Sequence, residues 1–405
     1  MSADFFAAAQ GRYIASNAAT LRWMLDRLPL HGEYFNTKMN PLTLVDYSDK
    51  DGWRGPDHIY GWIQGRGLEA ATTHADAFAH RDADLSRQLD AAGRRTYAAI
   101  DRLLATHGHV SFCYDKHMRP ARFISLHDHV PQHQPADIYT FSDAFAAKGL
   151  VAGAARYRPD DLPRQLAALQ RVIDAIEDDR FQIDEKVELS QAATDSQPRD
   201  FGPRMILLSA GALLTKIGRR DLTGFAERFI AHIIDDHFDP ATGLLRNVKG
   251  EDACNVGHGI EFVGFALDHY RGEDIDPGLL KVLETILVSS FDLGFRGPGV
   301  RLVVSASTGE PASPYCPWWT PPETIRSAAL VHERTHTADS LRVWQTADAA
   351  FFNRYWLEGA GIAYQCLTDD GPIDYVPATP DLDPGYHTGL SLLAAIDMIQ
   401  RHRSA

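Results

Sequence analysis

The sequence carries no excess of positive charge: 40 lysines and arginines stand against 54 aspartates and glutamates, a formal net charge of −14 at pH 7. That balance argues against nucleic-acid and anionic-membrane partners, because both draw on a basic face that neutralises phosphates and releases counterions. Cysteine is scarce. Cys113, Cys254, Cys316 and Cys366 are widely spaced and never in CxxC order, so no metal site is expected from them and a reducing compartment is. Apolar runs long enough to cross a bilayer are missing, and the opening MSADFFAAAQGRYIA lacks a basic region ahead of an apolar stretch. A cytoplasmic location is the resulting default. There is also no GxGxxG after a strand, no GxxxxGKS/T, no HExxH and no GxSxG, which removes the common dinucleotide, P-loop, zinc-protease and serine-hydrolase signatures.

What is present is ordinary globular composition, 405 residues with 44% hydrophobic and 23% charged, dominated by helical periodicity. Leu85, Leu89, Ala92, Ile100, Leu103 and Leu104 fall on one helix face at steps of three and four. The same pattern recurs in Leu166–Ile176, Phe225–Ile234, Leu279–Leu287 and Leu341–Tyr355. Four other stretches are apolar or small nearly all round: IYGWIQGRGLEAATTHADAFA, DIYTFSDAFAAKGLVAGAARY, MILLSAGALLTKIG and HGIEFVGFALDHY. Such helices are expected where other helices cover most of their surface, and Ala146, Ala147 and Gly149 would let backbones approach closely.

Between helix pairs the period breaks into short turn-bearing segments near Phe35, Phe112, Phe238, Phe295 and Tyr364, which read as small hairpins. They return roughly every 55 to 75 residues, a spacing suited to a helix–helix–hairpin unit repeated about six times. The most linker-like stretch, Ser190–Pro203, reads as a long loop, and one domain over residues 1–405 is the expectation.

Several polar residues stand in apolar or aromatic surroundings, where an unpaired polar group is costly. They are Arg66, His258 with Glu261, Glu323 after the Trp318–Trp319 pair, and His387, each at or near an expected helix start. Each alone has a plainer reading. A buried histidine is commonly a hydrogen-bonded core residue; Arg66 pairs readily with Glu69 three residues on; Glu323 after two prolines suits the first turn of a helix. Trp318 and Trp319 serve as core or as stacking faces for a sugar. His117, His332 and His336 lie among charged neighbours and read as solvent-facing.

At these segments the sequence resembles the N-acylglucosamine 2-epimerase family, with its renin-binding protein, cellobiose 2-epimerases and mannose isomerases. Trp62-Ile-Gln-Gly-Arg66 is similar to the family's W-x-Q-x-R, and Tyr139-Thr-Phe-Ser-Asp-Ala-Phe145 to its Ser-acidic-x-Phe helix. Pro203-Arg-Met-Ile-Leu-Leu208 resembles P-M-x-L-L, Gly257-His-Gly-Ile-Glu261 matches G-H-x-x-E, and Trp318-Trp-Thr-Pro-Pro-Glu323 matches W-W-x-x-x-E. Gly385-Tyr-His387 falls where the family has its C-terminal histidine. The matches keep family order from about Phe35 to Leu393. The resemblance implies an all-α fold, an (α/α)6 barrel with short β-hairpins in its loops. It implies His258 and His387 as an acid–base pair, and Arg66, Trp62, Glu261, Trp318, Trp319 and Glu323 as substrate-binding neighbours. Two departures stand out: Leu390 replaces the arginine of the family's H-x-P-R, and Ile206 and Ser209 replace a histidine and a glutamate found in some members.

The chemistry implied is proton transfer at C2 of a free reducing sugar through an enediolate, giving a 2-epimerase or an aldose–ketose isomerase. Neutral imidazole, with an ordinary pKa of about 6.5, suits the base role. Arg66 would face the developing oxyanion. The route needs no metal and no cofactor, and its partner is a small-molecule sugar, with a homodimer left open. Two other readings use the same residues. A glycoside hydrolase would employ Glu261 and Glu323 as its carboxylate pair, and a non-catalytic sugar-binding protein would keep the tryptophans but not need the histidines.

Overall fold

The computed structural model describes residues 2–375 and 378–404. Helices carry the chain: α1 (Ser2–Leu25), α2 (Gly61–Phe78), α3 (Ala83–His107), α4 (Phe141–Tyr157), α5 (Leu162–Glu177), α6 (Gln191–Ser196), α7 (Gly202–Lys216), α8 (Gly224–His237), α9 (Val256–His269), α10 (Pro277–Gly294), α11 (Thr320–Thr335), α12 (Ala338–Ala350) and α13 (His387–Ser404). The one-sided stretches of the sequence are α3, α5, α8, α10 and α12; the all-round apolar ones are α2, α4, α7 and α9. No helix among the described residues is long and apolar enough to cross a membrane.

Two compact units emerge, each described here by itself. One is built from Ala18–Gln197 and Ala378–Tyr386. In it α2 packs on α3 and α4, and α4 packs on α5. The α2–α4 crossing depends on glycine: a Cβ on Gly149 would come within 2.4 Å of the Gly65 carbonyl oxygen. Leu68, Tyr97, Ile100, Ala146 and Leu150 fill the core that these helices share.

The other unit takes the chain through Asn17, the segment from Pro198, and the chain from His387 onward. Here α7, α9, α11 and α13 form one row of neighbours, while α8, α10 and α12 lie against α7, α9 and α11. Every described residue of α11 from Thr320 to His332 is buried, whereas α8 and α10 bury one face. That two-layer arrangement is why α7 and α9 read as apolar all round.

Short antiparallel pairs close the helix connections. Tight hairpins join Phe238–Asp239 to Leu244–Leu245, Phe295–Arg296 to Gly299–Val300, and Cys366–Thr368 to Gly371–Pro372, in segments read as turns. Trp356–Leu357 and Ile362–Ala363 form another local hairpin, whereas Cys113–Tyr114 pairs back over a long stretch of chain onto Ile59–Tyr60.

Three details correct the sequence reading. The Ser190–Pro203 stretch contains α6, capped by the Ser190 hydroxyl. The last helical pattern ends at Ala350 and continues as a π-turn over Phe351–Tyr355. That turn still buries Phe351 and Tyr355 with Cys316 and the Trp318–Trp319 pair, and Tyr355 Oη donates to the Cys316 carbonyl at 3.0 Å. His332 is buried rather than solvent-facing, because α12 folds back on α11 and brings Ser340 Oγ within 2.9 Å of its Nδ1. His117 and His336 are exposed.

Candidate active site

The start of α9 sets His258. Asn255 ends a strand paired to Val303–Ser305, and its side chain accepts the His258 backbone N–H at 3.1 Å, satisfying one of the helix's orphan donors. A Cβ on Gly257 would lie 2.8 Å from the Trp319 ring, so only glycine lets the indole sit this close to the helix start. One turn on, Glu261 is almost fully buried. Pro321 and Pro322 occupy the first turn of α11, where their missing N–H groups cost nothing. Glu323 follows in that turn with 0% exposure. His387 is the first residue of α13.

These elements bring four titratable groups and two indoles together within one unit. His387 Nδ1 lies 2.9 Å from Glu323 Oε1 and 3.7 Å from Glu261 Oε1. An ionised carboxylate only accepts, so Nδ1 carries the proton of this bond. Both imidazoles lean on the same indole: the Trp319 ring centroid is 5.8 Å from that of His258 and 5.7 Å from that of His387. Trp318 meets His387 edge-on at 6.4 Å, and among the described residues its buried indole N–H finds no acceptor.

The two histidines differ electrostatically. Burial pushes the His258 imidazole down from 6.5 to about 4, and charge on the neighbouring His387 acts in the same direction. His387 instead has two carboxylates beside its Nδ1. The donor atoms of Glu261, Glu323 and His387 lie within 4.8 Å of one another, a spacing small enough for a cation. Arg326, with Nη1 3.3 Å from Glu323 Oε2, already places a positive charge there, and the cluster reads as a proton site.

Arg66 and Trp62 belong to the other unit. The Arg66 guanidinium carbon lies 4.0 Å from the centroid of the Phe145 ring, 4.7 Å from that of Trp62 and 5.3 Å from that of Tyr386. Lys148 stands beside Glu69: its Nζ is 3.1 Å from Glu69 Oε2 and donates to Tyr386 Oη at 2.5 Å. Sequence reasoning missed Lys148, Tyr386 and Arg326. Lys148 did leave a signal, as the lone cation of FSDAFAAKGLVAGA, and Arg326 stands three residues after Glu323 on a helix whose neighbours are all buried.

No protein-family model matches this chain, and no curated protein matches it by sequence. Solved structures do. The cellobiose 2-epimerase of Spirochaeta thermophila superposes at a TM-score of 0.74 with 15% identity, covering 99% of this chain and 98% of that one. The fold is that of the sugar epimerases. A sugar epimerase from a ruminal bacterium gives 0.70 with 16% identity over 98% and 99% of the two chains. A D-mannose isomerase gives 0.70 with 12% identity over 96% and 97%. The shared fold is the all-α (α/α)6 barrel expected from the sequence. Weaker likenesses, at TM-scores of 0.53 and 0.55, include a Bacteroides thetaiotaomicron α-mannanase and a heparin-specific unsaturated glucuronyl hydrolase. A fold shared by isomerases and hydrolases leaves the reaction to be argued from the side chains.

Proposed function

We propose that the chain is a member of the N-acylglucosamine 2-epimerase family, a sugar epimerase or aldose–ketose isomerase working at C2 of a free reducing sugar. The observation that carries this reading is the pair of unlike imidazoles set against Trp319, one favoured neutral and one bonded to a carboxylate. Neutral His258 takes the C2 proton. The imidazolium of His387, anchored through Nδ1, returns a proton from Nε2; in the reverse direction the roles exchange. Delivery to the opposite face of C2 gives the epimer, and passage of a proton from C2 to C1 gives the ketose. The sequence resemblance implies Arg66 as the fixed positive charge for the enediolate oxygen. The Trp318 indole N–H is a ready donor for a sugar hydroxyl, and the two indoles offer stacking faces.

The hydrolase reading fits the same carboxylates less well. Glu261 and Glu323 both address one imidazole nitrogen, at 3.7 and 2.9 Å, whereas a glycosidase needs its two carboxylates to flank a glycosidic bond. Leu390, half-buried one turn after His387, removes the family's cation from this part of the site, so the sugar contact there differs from the family's. The test is incubation with free aldoses, 2-ketoses, N-acyl hexosamines and disaccharides in D2O. Deuterium at C2 with an epimer or ketose as product supports the proposal; cleavage products, or no exchange with any sugar, refute it.

A further inference from the structure

Lys148 of α4 is a fully buried cation, with 0% exposure. The close crossing of Gly149 on Gly65 brings it against α2, where its Nζ stands 3.1 Å from Oε2 of the buried Glu69. Burial works against the ammonium charge, but Glu69 first and Tyr386 second raise Lys148 above its ordinary value and keep it charged. A buried ion pair of this kind is commonly no more stabilising than apolar side chains of the same volume, so its retention points to what it holds in place.

What it holds is Tyr386, whose hydroxyl receives the Lys148 ammonium at 2.5 Å. The main chain of Tyr386 is fixed separately. Its N–H donates to Asp383 Oδ1 at 3.0 Å, and the neighbouring Gly385 carbonyl lies 3.1 Å from His74 Nε2. Lys38 and Asp381, with side chains 1% exposed, form a second buried pair at 3.1 Å that ties down the same segment. Main chain and hydroxyl together fix the direction of the ring axis. The ring meets Phe145 edge-on at 5.8 Å, and its centroid is 5.3 Å from the Arg66 guanidinium carbon. Phe145 and Trp62 are the other two rings around that cation, at 4.0 and 4.7 Å. Phe145 has no polar atom, and among the described residues the Trp62 indole N–H finds no acceptor. Tyr386 is therefore the ring that a hydrogen bond locks. We propose that Lys148 is a positioning residue for Arg66: it locks the Tyr386 ring, and the ring sets where the guanidinium points. The proposal rests on the reading of Arg66 as the charge that faces the enediolate oxygen.

The test compares Tyr386→Phe, which removes only the hydroxyl, with Glu69→Gln/Lys148→Met, which removes both charges and leaves neither buried alone. Each is measured by steady-state kinetics, and by NMR of the Arg66 Nε–H, whose signal is assigned by its loss in Arg66→Lys. Both variants are expected to lower kcat at least about tenfold, since a displacement of about 1 Å can cost about 100-fold. KM should stay within about twofold, because the oxyanion that Arg66 faces develops only on the way to the transition state. The Arg66 Nε–H signal should shift and exchange faster with solvent in both. Placed in an Arg66→Lys background, Tyr386→Phe should cause no further loss, as expected of a residue that acts through Arg66. Wild-type kcat in Tyr386→Phe, an unchanged Arg66 signal, or the same loss in the Arg66→Lys background overturns the proposal. Should the charge-free double variant fail to fold, Tyr386→Phe alone decides. If the wild-type protein exchanges no sugar proton, the functional reading falls, and the Arg66 signal in Tyr386→Phe still decides whether Lys148 positions the guanidinium.

Discussion

Lowering the pH offers a direct test of the charge difference between the two imidazoles. His258 is held down to about 4, first by burial and second by His387. At pH 5.5 an imidazole with that value is about 97% neutral, whereas an ordinary one at 6.5 is about 9% neutral. Exchange of the sugar C2 proton at pH 5.5 should therefore run at nearly its pH 7 rate, with the acid limb centred near 4. The sign of the stability effect follows the same group. A histidine lowered on folding contributes fully above pH 6.5 and loses that contribution as pH falls toward about 4, a drop of roughly 3 kcal/mol in all. Proton NMR of the His258 ring reads the midpoint without substrate. Because burial is the larger cause, His387→Gln should raise the midpoint while leaving it below 6.5. A wild-type midpoint at or above 6.5, or a tenfold rate loss between pH 7 and 5.5, would refute the assignment of His258 as the neutral base.

Other expectations follow from single contacts. Arg66→Lys keeps the charge but loses the planar guanidinium stacked over Phe145 at 4.0 Å, and should cost at least about tenfold in kcat/KM. Wild-type kinetics in that variant would remove Arg66 from the site. Gly257→Ala would drive a methyl to 2.8 Å from Trp319 and from Leu302, destabilising by about 1–3 kcal/mol and displacing the indole shared by both histidines. A thermal melt and the exchange assay should fall together; an unchanged melt contradicts the close approach. Burial pushes the Glu185 carboxyl up to about 8, so its contribution is full below about 4.5 and is lost as pH rises through 8. Urea titrations at pH 5 and 9 should show that fall in the wild type and a flatter profile in Glu185→Gln, the bound being about 4–5 kcal/mol. Equal pH dependence in both proteins would count against it.

The candidate site was legible where a polar residue broke an apolar pattern. His258, Glu261, Glu323 and His387 all stand out in this way, and the structure draws them around one indole pair. Lys148 was not legible as a neighbour of Glu69, because it reaches that carboxylate from α4, far away in the chain. His332 misled for a related reason. Its sequence neighbours are charged, yet burial is decided by α12, whose Ser340 supplies the bond that charge spacing along α11 cannot reveal.

By itself, the sequence determined most of the long helices and which of those are covered on all sides, because periodicity of side-chain polarity maps directly onto exposure. It also determined the inventory of groups able to move a proton. The tertiary structure decided what each group is. Two histidines of one residue type became unlike, since one lost solvent near His387 while the other gained two carboxylates from helices about 64 and 126 residues away in the chain. Arg326 reached Glu323 along its own helix, but only the glycine-cut packing of α9 against α11 makes that contact buried. Charge state depends on dielectric and on neighbours in space, and neither is written in the local sequence.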